Sequence, residues 1–170
     1  LARYTGTAWQ AGDKIPDDKL GFLTLNPTGG HPGGDATHAI IRRWVSPING
    51  VVSIAGNVKH GNNQGDGVRA RVVSSTAGIV GEWDVFNKQV PATVAQVTVK
   101  KGDTLDFVVD SKATNSFDSF LWAPTIRLME GEKKEWSATA QFGGPPAPPL
   151  DRHARYAQAL LMTNEFMFVD

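Results

Sequence analysis

The sequence predicts an all-β protein, an antiparallel β-sandwich of jelly-roll type. Three observations predict it: period-two alternation of apolar residues, short strand-like runs, and turn residues between them. The turns are supplied by 18 glycines and 10 prolines, and hydrophobic residues make up 41% of the 170-residue chain. That composition suits a globular domain with a sizeable core.

Taken in order, Leu20 to Leu25 is the first strand-like run, ended by Asn26-Pro27-Thr28-Gly29-Gly30. Ala39 to Val45 follows, closed by Ser46-Pro47. Then come Val51 to Val58, Val68 to Ser74, Ile79 to Phe86, Thr93 to Val99, Thr104 to Val109 and Phe120 to Met129. Alternation is cleanest at Val68-Ala70-Val72, with Arg69 and Arg71 on the opposite face, and recurs in Leu105-Phe107-Val109 and Trp122-Pro124-Ile126-Leu128. About eight strands suit a jelly roll. The sandwich is expected to span residues 1–142.

Beyond it, Gly143-Gly144-Pro145-Pro146-Ala147-Pro148-Pro149 reads as an extended linker over 143–150. Asp151 offers a helix N-cap, and Ala154, Ala157, Leu160 and Leu161 share one helical face. An apolar tail, Phe166 to Val169, closes the chain. Residues 151–170 are thus expected to be a C-terminal helix and a docking tail, with Leu160, Leu161, Phe166 and Phe168 buried by a contact in cis or on a second copy. The chain opens at Leu1 and reads as a piece of something longer.

Charge and composition narrow the function. Seventeen basic and seventeen acidic residues cancel, which removes the long-range attraction that nucleic-acid binders use. There is no cysteine, so disulfides, thiolate catalysis, zinc ribbons and c-type haem attachment are excluded. No apolar run approaches the ~20 residues of a membrane-spanning helix. None of His31, His38, His60 and His153 stands in a zinc-protease spacing, and no Ser occupies a nucleophile elbow. His31, between Gly30 and Pro32, reads as structural. The residues predict no enzyme, no nucleic-acid partner and no membrane insertion.

Two carboxylates are the best placed for a structural calcium ion: Asp66, in Gly65-Asp66-Gly67, and Asp118, with Asn62, Asn63 and Gln64 near the first. The plainer reading, which the spacing favours, is a turn in which Asp66 caps backbone N–H groups. The five tryptophans say more. Sugars stack their C–H faces on flat aromatic rings while polar neighbours take the hydroxyls. At least two of the strand residues Trp44, Trp83 and Trp122 are expected in the core. Trp83 is the candidate sugar platform, with Glu82, Asp84 and Asn87 around it, and Arg69 and Arg71 bordering a groove. For the two arginines the plainer reading is a solvated outer face. Trp9 and Trp136 are expected to pin the flanking segments to the sandwich.

Several segments also carry a family resemblance. They are Gly29-Gly30-His31-Pro32-Gly33, Ile40 through Arg42-Arg43-Trp44 to Pro47, Gly65-Asp66-Gly67-Val68, and Asp118-Ser119-Phe120-Leu121-Trp122-Ala123-Pro124. Together with Tyr156-Ala157-Gln158-Ala159-Leu160-Leu161 through Asn164-Glu165-Phe166 to Asp170, this resembles the carbohydrate-binding-module-like, C-terminal region of large secreted planctomycete proteins. Those proteins join it to a planctomycete-type cytochrome c domain. The haem-attachment motif is absent here, so haem chemistry does not carry over. The resemblance implies a jelly-roll accessory domain of an exported protein and carries over no ligand or binding residue. It favours a non-catalytic carbohydrate-binding module that tethers its parent to polysaccharide or oligosaccharide. The alternative is a domain that packs against other domains of the parent chain and binds no sugar.

Overall fold

The computed structural model describes residues 1–146 and 151–153. The expected helix and tail, including Leu160, Leu161, Phe166 and Phe168, lie outside the described residues. Of the expected linker, residues 143–146 are described.

The described chain is all-β. Its strands are Arg3–Tyr4 (β1), Trp9–Gln10 (β2), Thr24–Asn26 (β3), Gly29–His31 (β4), Ile40–Val45 (β5), Gly50–Ala55 (β6), Asn57–His60 (β7) and Val68–Ser74 (β8). Gly78–Val85 (β9), Lys88–Pro91 (β10), Val94–Val99 (β11), Thr104–Ser111 (β12), Phe120–Leu121 (β13), Thr125–Leu128 (β14) and Glu135–Ser137 (β15) complete the set. Every pairing between them is antiparallel. Among the described residues no helix is long and apolar enough to cross a membrane.

One sheet has the order β5-β12-β8-β9. Facing it, the orders β1-β2-β3-β4-β13-β7-β10 and β11-β6-β14-β15 run on into each other. β7 continues β6, β11 continues β10 and β14 continues β13, each after a short interruption. The interruption between β6 and β7 is Gly56, where a Cβ would come within 3.3 Å of Pro124 Cα. Pro124 itself interrupts the run from Phe120 to Met129, because it has no N–H to give to a ladder. Both runs are therefore interrupted in mid-course where they cross each other.

The core lies between the two layers. Val68, Ala70, Val72, Leu105, Phe107 and Val109 from one side meet Val52, Ile54, Val58, Phe120, Trp122 and Ile126 from the other. Their alternation inside β8 and β12 is the period-two pattern of a half-buried sheet. Trp122 is the hinge of the packing: Phe107 and Trp83 meet it edge-on, with ring centroids 5.4 and 6.1 Å away.

Candidate functional site

The open edge of the sandwich beside β5 holds a cleft of about 260 Å³. Three tryptophans line it: Trp9 from β2, Trp44 from β5 and Trp136 from β15. Trp44 alternates inward along β5 and is buried, whereas Trp9 and Trp136 are half-buried. Trp136 meets Trp44 edge-to-face, with centroids 5.2 Å apart. Register places Trp136 opposite Ile126, which directs it at the same gap.

A strap over residues 138–143 closes one side of the cleft. Trp9 Nε1 donates to the Gly143 carbonyl at 2.8 Å, so the expected pinning role of Trp9 is seen directly. Arg42 holds the strap from below. Its Nη1 donates to Ala138 O at 3.0 Å and its Nη2 to Asn26 O at 2.8 Å, while the guanidinium lies 5.4 Å from the Phe142 ring centre. Burial lowers the Arg42 pKa from its ordinary value. Arg43, one residue on, points to the outer face and clasps Asp106 through two bonds of 2.7 Å. Gln141, exposed at the rim, leaves its side-chain amide free of protein hydrogen bonds among the described residues. The cleft therefore offers indole surfaces inside and polar groups at its mouth, the chemistry of a site for a small ligand with one apolar and one polar face.

The residues singled out from sequence fall elsewhere, and the structure divides them. Trp83 pairs with Ala70, and Arg69 and Arg71 pair with Asp84 and Glu82. Paired residues share a face, so Trp83 points inward and both arginines point outward. The indole of Trp83 covers Gly81, where a Cβ would overlap its ring, and its edge meets Trp122. Trp83 and the Arg69–Arg71 face thus do not line one groove. Outside, Arg69 Nη2 lies 3.0 Å from the Asp110 carboxylate, and Arg71 binds the other oxygen of the same group. Asp110 is fully buried beneath them. Asp84 stands 3.7 Å from Lys112. Asn87 lies beyond β9, exposed, with φ of 44°.

Asn87 belongs to a second cluster at one end of the sandwich, organised by His60. The buried His60 ring accepts from the Asn87 N–H at Nδ1 (3.1 Å) and donates from Nε2 to Phe117 O (2.9 Å). Both bonds are satisfied by the neutral Nε2–H tautomer. Phe86 stacks on the same ring at 5.8 Å. Phe117, half-exposed with φ of 69°, borders a surface groove of about 410 Å³ with Lys59, Asn62, Ser119 and Leu121. Sequence patterning missed this hub, because a single histidine at a strand end carries no motif.

Beside the hub are the two calcium candidates. Asp66 accepts from Ala113 N–H at 2.6 Å and from Thr114 Oγ1 at 3.2 Å. It is therefore a cap, as the plainer reading expected, though it caps a different loop. Burial would raise its pKa, and those hydrogen bonds outweigh burial and hold it below the ordinary value. Asp118 is fully buried, and among the described residues no group hydrogen-bonds to either of its carboxylate oxygens. Burial first, then the charge of Asp66, pushes its carboxyl up to about 7 against the opposing pull of Lys112. Among the described residues no three His, Asp or Glu side chains converge as a metal cluster.

No protein-family model matches the chain, and no curated protein is significantly similar to it. Among solved structures, the chain is similar to a PA14 sugar-binding domain from an RTX adhesin, at 10% identity and a TM-score of 0.40. The superposition covers 59% of this chain and 51% of that one.

Proposed function

We propose that the chain is a non-catalytic carbohydrate-binding module of a larger exported protein, built as a jelly-roll-type sandwich, and that it tethers this protein to polysaccharide. The observation that carries the reading is the convergence of Trp9, Trp44 and Trp136 on one cleft with Gln141 at the rim. Aromatic side walls suit the C–H faces of a pyranose, and the free amide of Gln141 suits a hydroxyl pair. At about 260 Å³ the cleft is near the small end of ligand pockets, which start at about 300 Å³. That size favours the end or a single unit of a glycan over a long chain segment.

A glycan array with the isolated chain tests the reading, followed by titration of the best ligand. An aromatic contact of about 1 kcal/mol plus lost apolar area predicts that Trp136→Ala weakens binding about tenfold or more. Gln141→Ala, at an exposed position, should weaken it without altering the melting temperature. Because Trp136 also packs on Trp44, the Gln141 variant separates loss of ligand contact from loss of fold. An array with no bound glycan, or full affinity in both variants, would leave the second reading. In that reading the surface packs against other domains of the parent chain, and the exposed Ile41 and Val45 on edge strand β5 favour it.

A further inference from the structure

We propose that Asp118 and Asp66 hold a calcium ion between the loop of residues 61–67 and the loop of residues 112–119. The inference is independent of the tryptophan cleft and of any sugar.

Asp118 is a fully buried carboxyl with no hydrogen-bond partner on either oxygen among the described residues, and buried polar groups are ordinarily paired. Its two nearest charged or titratable neighbours are turned to other partners. His60 Nε2 is 3.8 Å from Asp118 Oδ1, but its proton is given to Phe117 O and its Nδ1 receives the Asn87 N–H. The Lys112 ammonium stands 3.7 Å from Asp84 Oδ1. A proton would neutralise Asp118 yet leave an O–H with no acceptor among the described residues, where neither oxygen makes a hydrogen bond. A bound cation neutralises the group and satisfies both oxygens at once.

The surrounding chain is built for a hard, oxygen-seeking cation. Asp66, on the loop that packs against the one carrying Asp118, supplies a second carboxylate. The two loops are locked together by the Asp66 bonds to Ala113 and Thr114. At Gly65, φ of 81°, a Cβ would fall on the Ser116 carbonyl oxygen, so only glycine lets the loops approach this closely. Irregular loops rich in carbonyls and in side-chain amides such as Asn62 and Asn63 suit the flexible shell of calcium. Magnesium asks for a near-ideal octahedron. With only two carboxylates, the expected affinity is that of extracellular calcium modules, about 10⁻⁴–10⁻³ M.

The test uses the full chain after treatment with chelator, titrated with calcium chloride or magnesium chloride and followed by calorimetry and thermal melting. One calcium per chain should bind, and the melting temperature should climb with free calcium, as for any ligand of the native state alone. Magnesium should raise it less. Asp118→Asn should lose the climb and bind calcium at least ~10-fold more weakly, the loss of one of two charged ligands. In calcium-free buffer that variant should melt no lower than wild type, because it removes a buried charge, which shows that its fold is intact. Asp66→Asn should also weaken binding. The proposal is overturned if calcium up to ~10 mM, well above that affinity range, leaves the melting temperature unmoved. It is equally overturned if Asp118→Asn keeps the wild-type response.

Discussion

His31 illustrates how burial decides the behaviour of a single ionisable side chain. It sits on β4, nearly enclosed, with Phe22 against its ring and Nδ1 bonded to Pro32 O at 2.8 Å. Burial lowers its pKa below 6.5, and the bond to Pro32 opposes this only in part. The sign of the pH effect follows. Below pH 6.5 the unfolded chain takes up the proton before the native state does, so stability falls as the solution is acidified. The His31 contribution is fully present above about pH 6.5 and is lost as pH falls through the folded pKa. Subtracting the pH–stability curve of His31→Asn from that of wild type should expose this loss below about pH 6.5. A difference that is flat with pH would show that His31 titrates as in the unfolded chain. At this scale the sequence was partly legible. The outward facing of Arg69 and Arg71 followed from alternation alone. The same rule separates Trp83 from Glu82 and Asp84, because adjacent strand residues point to opposite faces. Sequence neighbours of a strand tryptophan therefore face away from it, and grouping Trp83 with Asp84 and the two arginines joined opposite faces of one sheet.

Among the elements, β8 was fully legible: the expected run Val68 to Ser74 is the observed strand. Val68, Ala70 and Val72 are buried while Arg69, Arg71 and Val73 on the other face are half-buried, so periodicity and burial agree. β4 was illegible for a physical reason. Gly29 and Gly30 read as turn residues, and Asn26 does cap the turn through Oδ1, accepting from the Thr28 and Gly29 N–H groups. The glycines then continue as a strand squeezed between β3 and β13. A Cβ at Gly30 would overlap the Thr24 carbonyl oxygen. The glycines are there for closeness, which periodicity does not detect. Gly30→Ala should accordingly prise β4 from β3 and cost roughly 1–3 kcal/mol, the range for overpacked sites. A lower urea midpoint with an unchanged m-value would register that cost; an unmoved midpoint would mean that the strands part freely. The short strands β1, β2, β10 and β15 were missed as well, since two to four residues hold too little of a period to read.

For the whole molecule, the all-β class and one shared core were legible, because both rest on alternation repeated along several strands. The cleft was not. Trp9, Trp44 and Trp136 are far apart in sequence, and only the layer packing brings them together at the β5 edge. Trp9 and Trp136 were expected to pin flanking segments, and the bond to Gly143 and the contact with Trp44 fit that role. The same pinning raises the walls of the cleft, so the structural and the binding roles share the same rings. This is the central claim, and the five tryptophans allow it to be tested residue by residue. Each indole N–H gives its own peak in a proton–nitrogen correlation spectrum. Titration with a glycan that the chain binds should shift the Trp136, Trp9 and Trp44 peaks in a saturable way and leave those of Trp83 and Trp122 in place. Saturable shifts confined to Trp83, or binding that moves none of the three cleft indoles, would contradict the account.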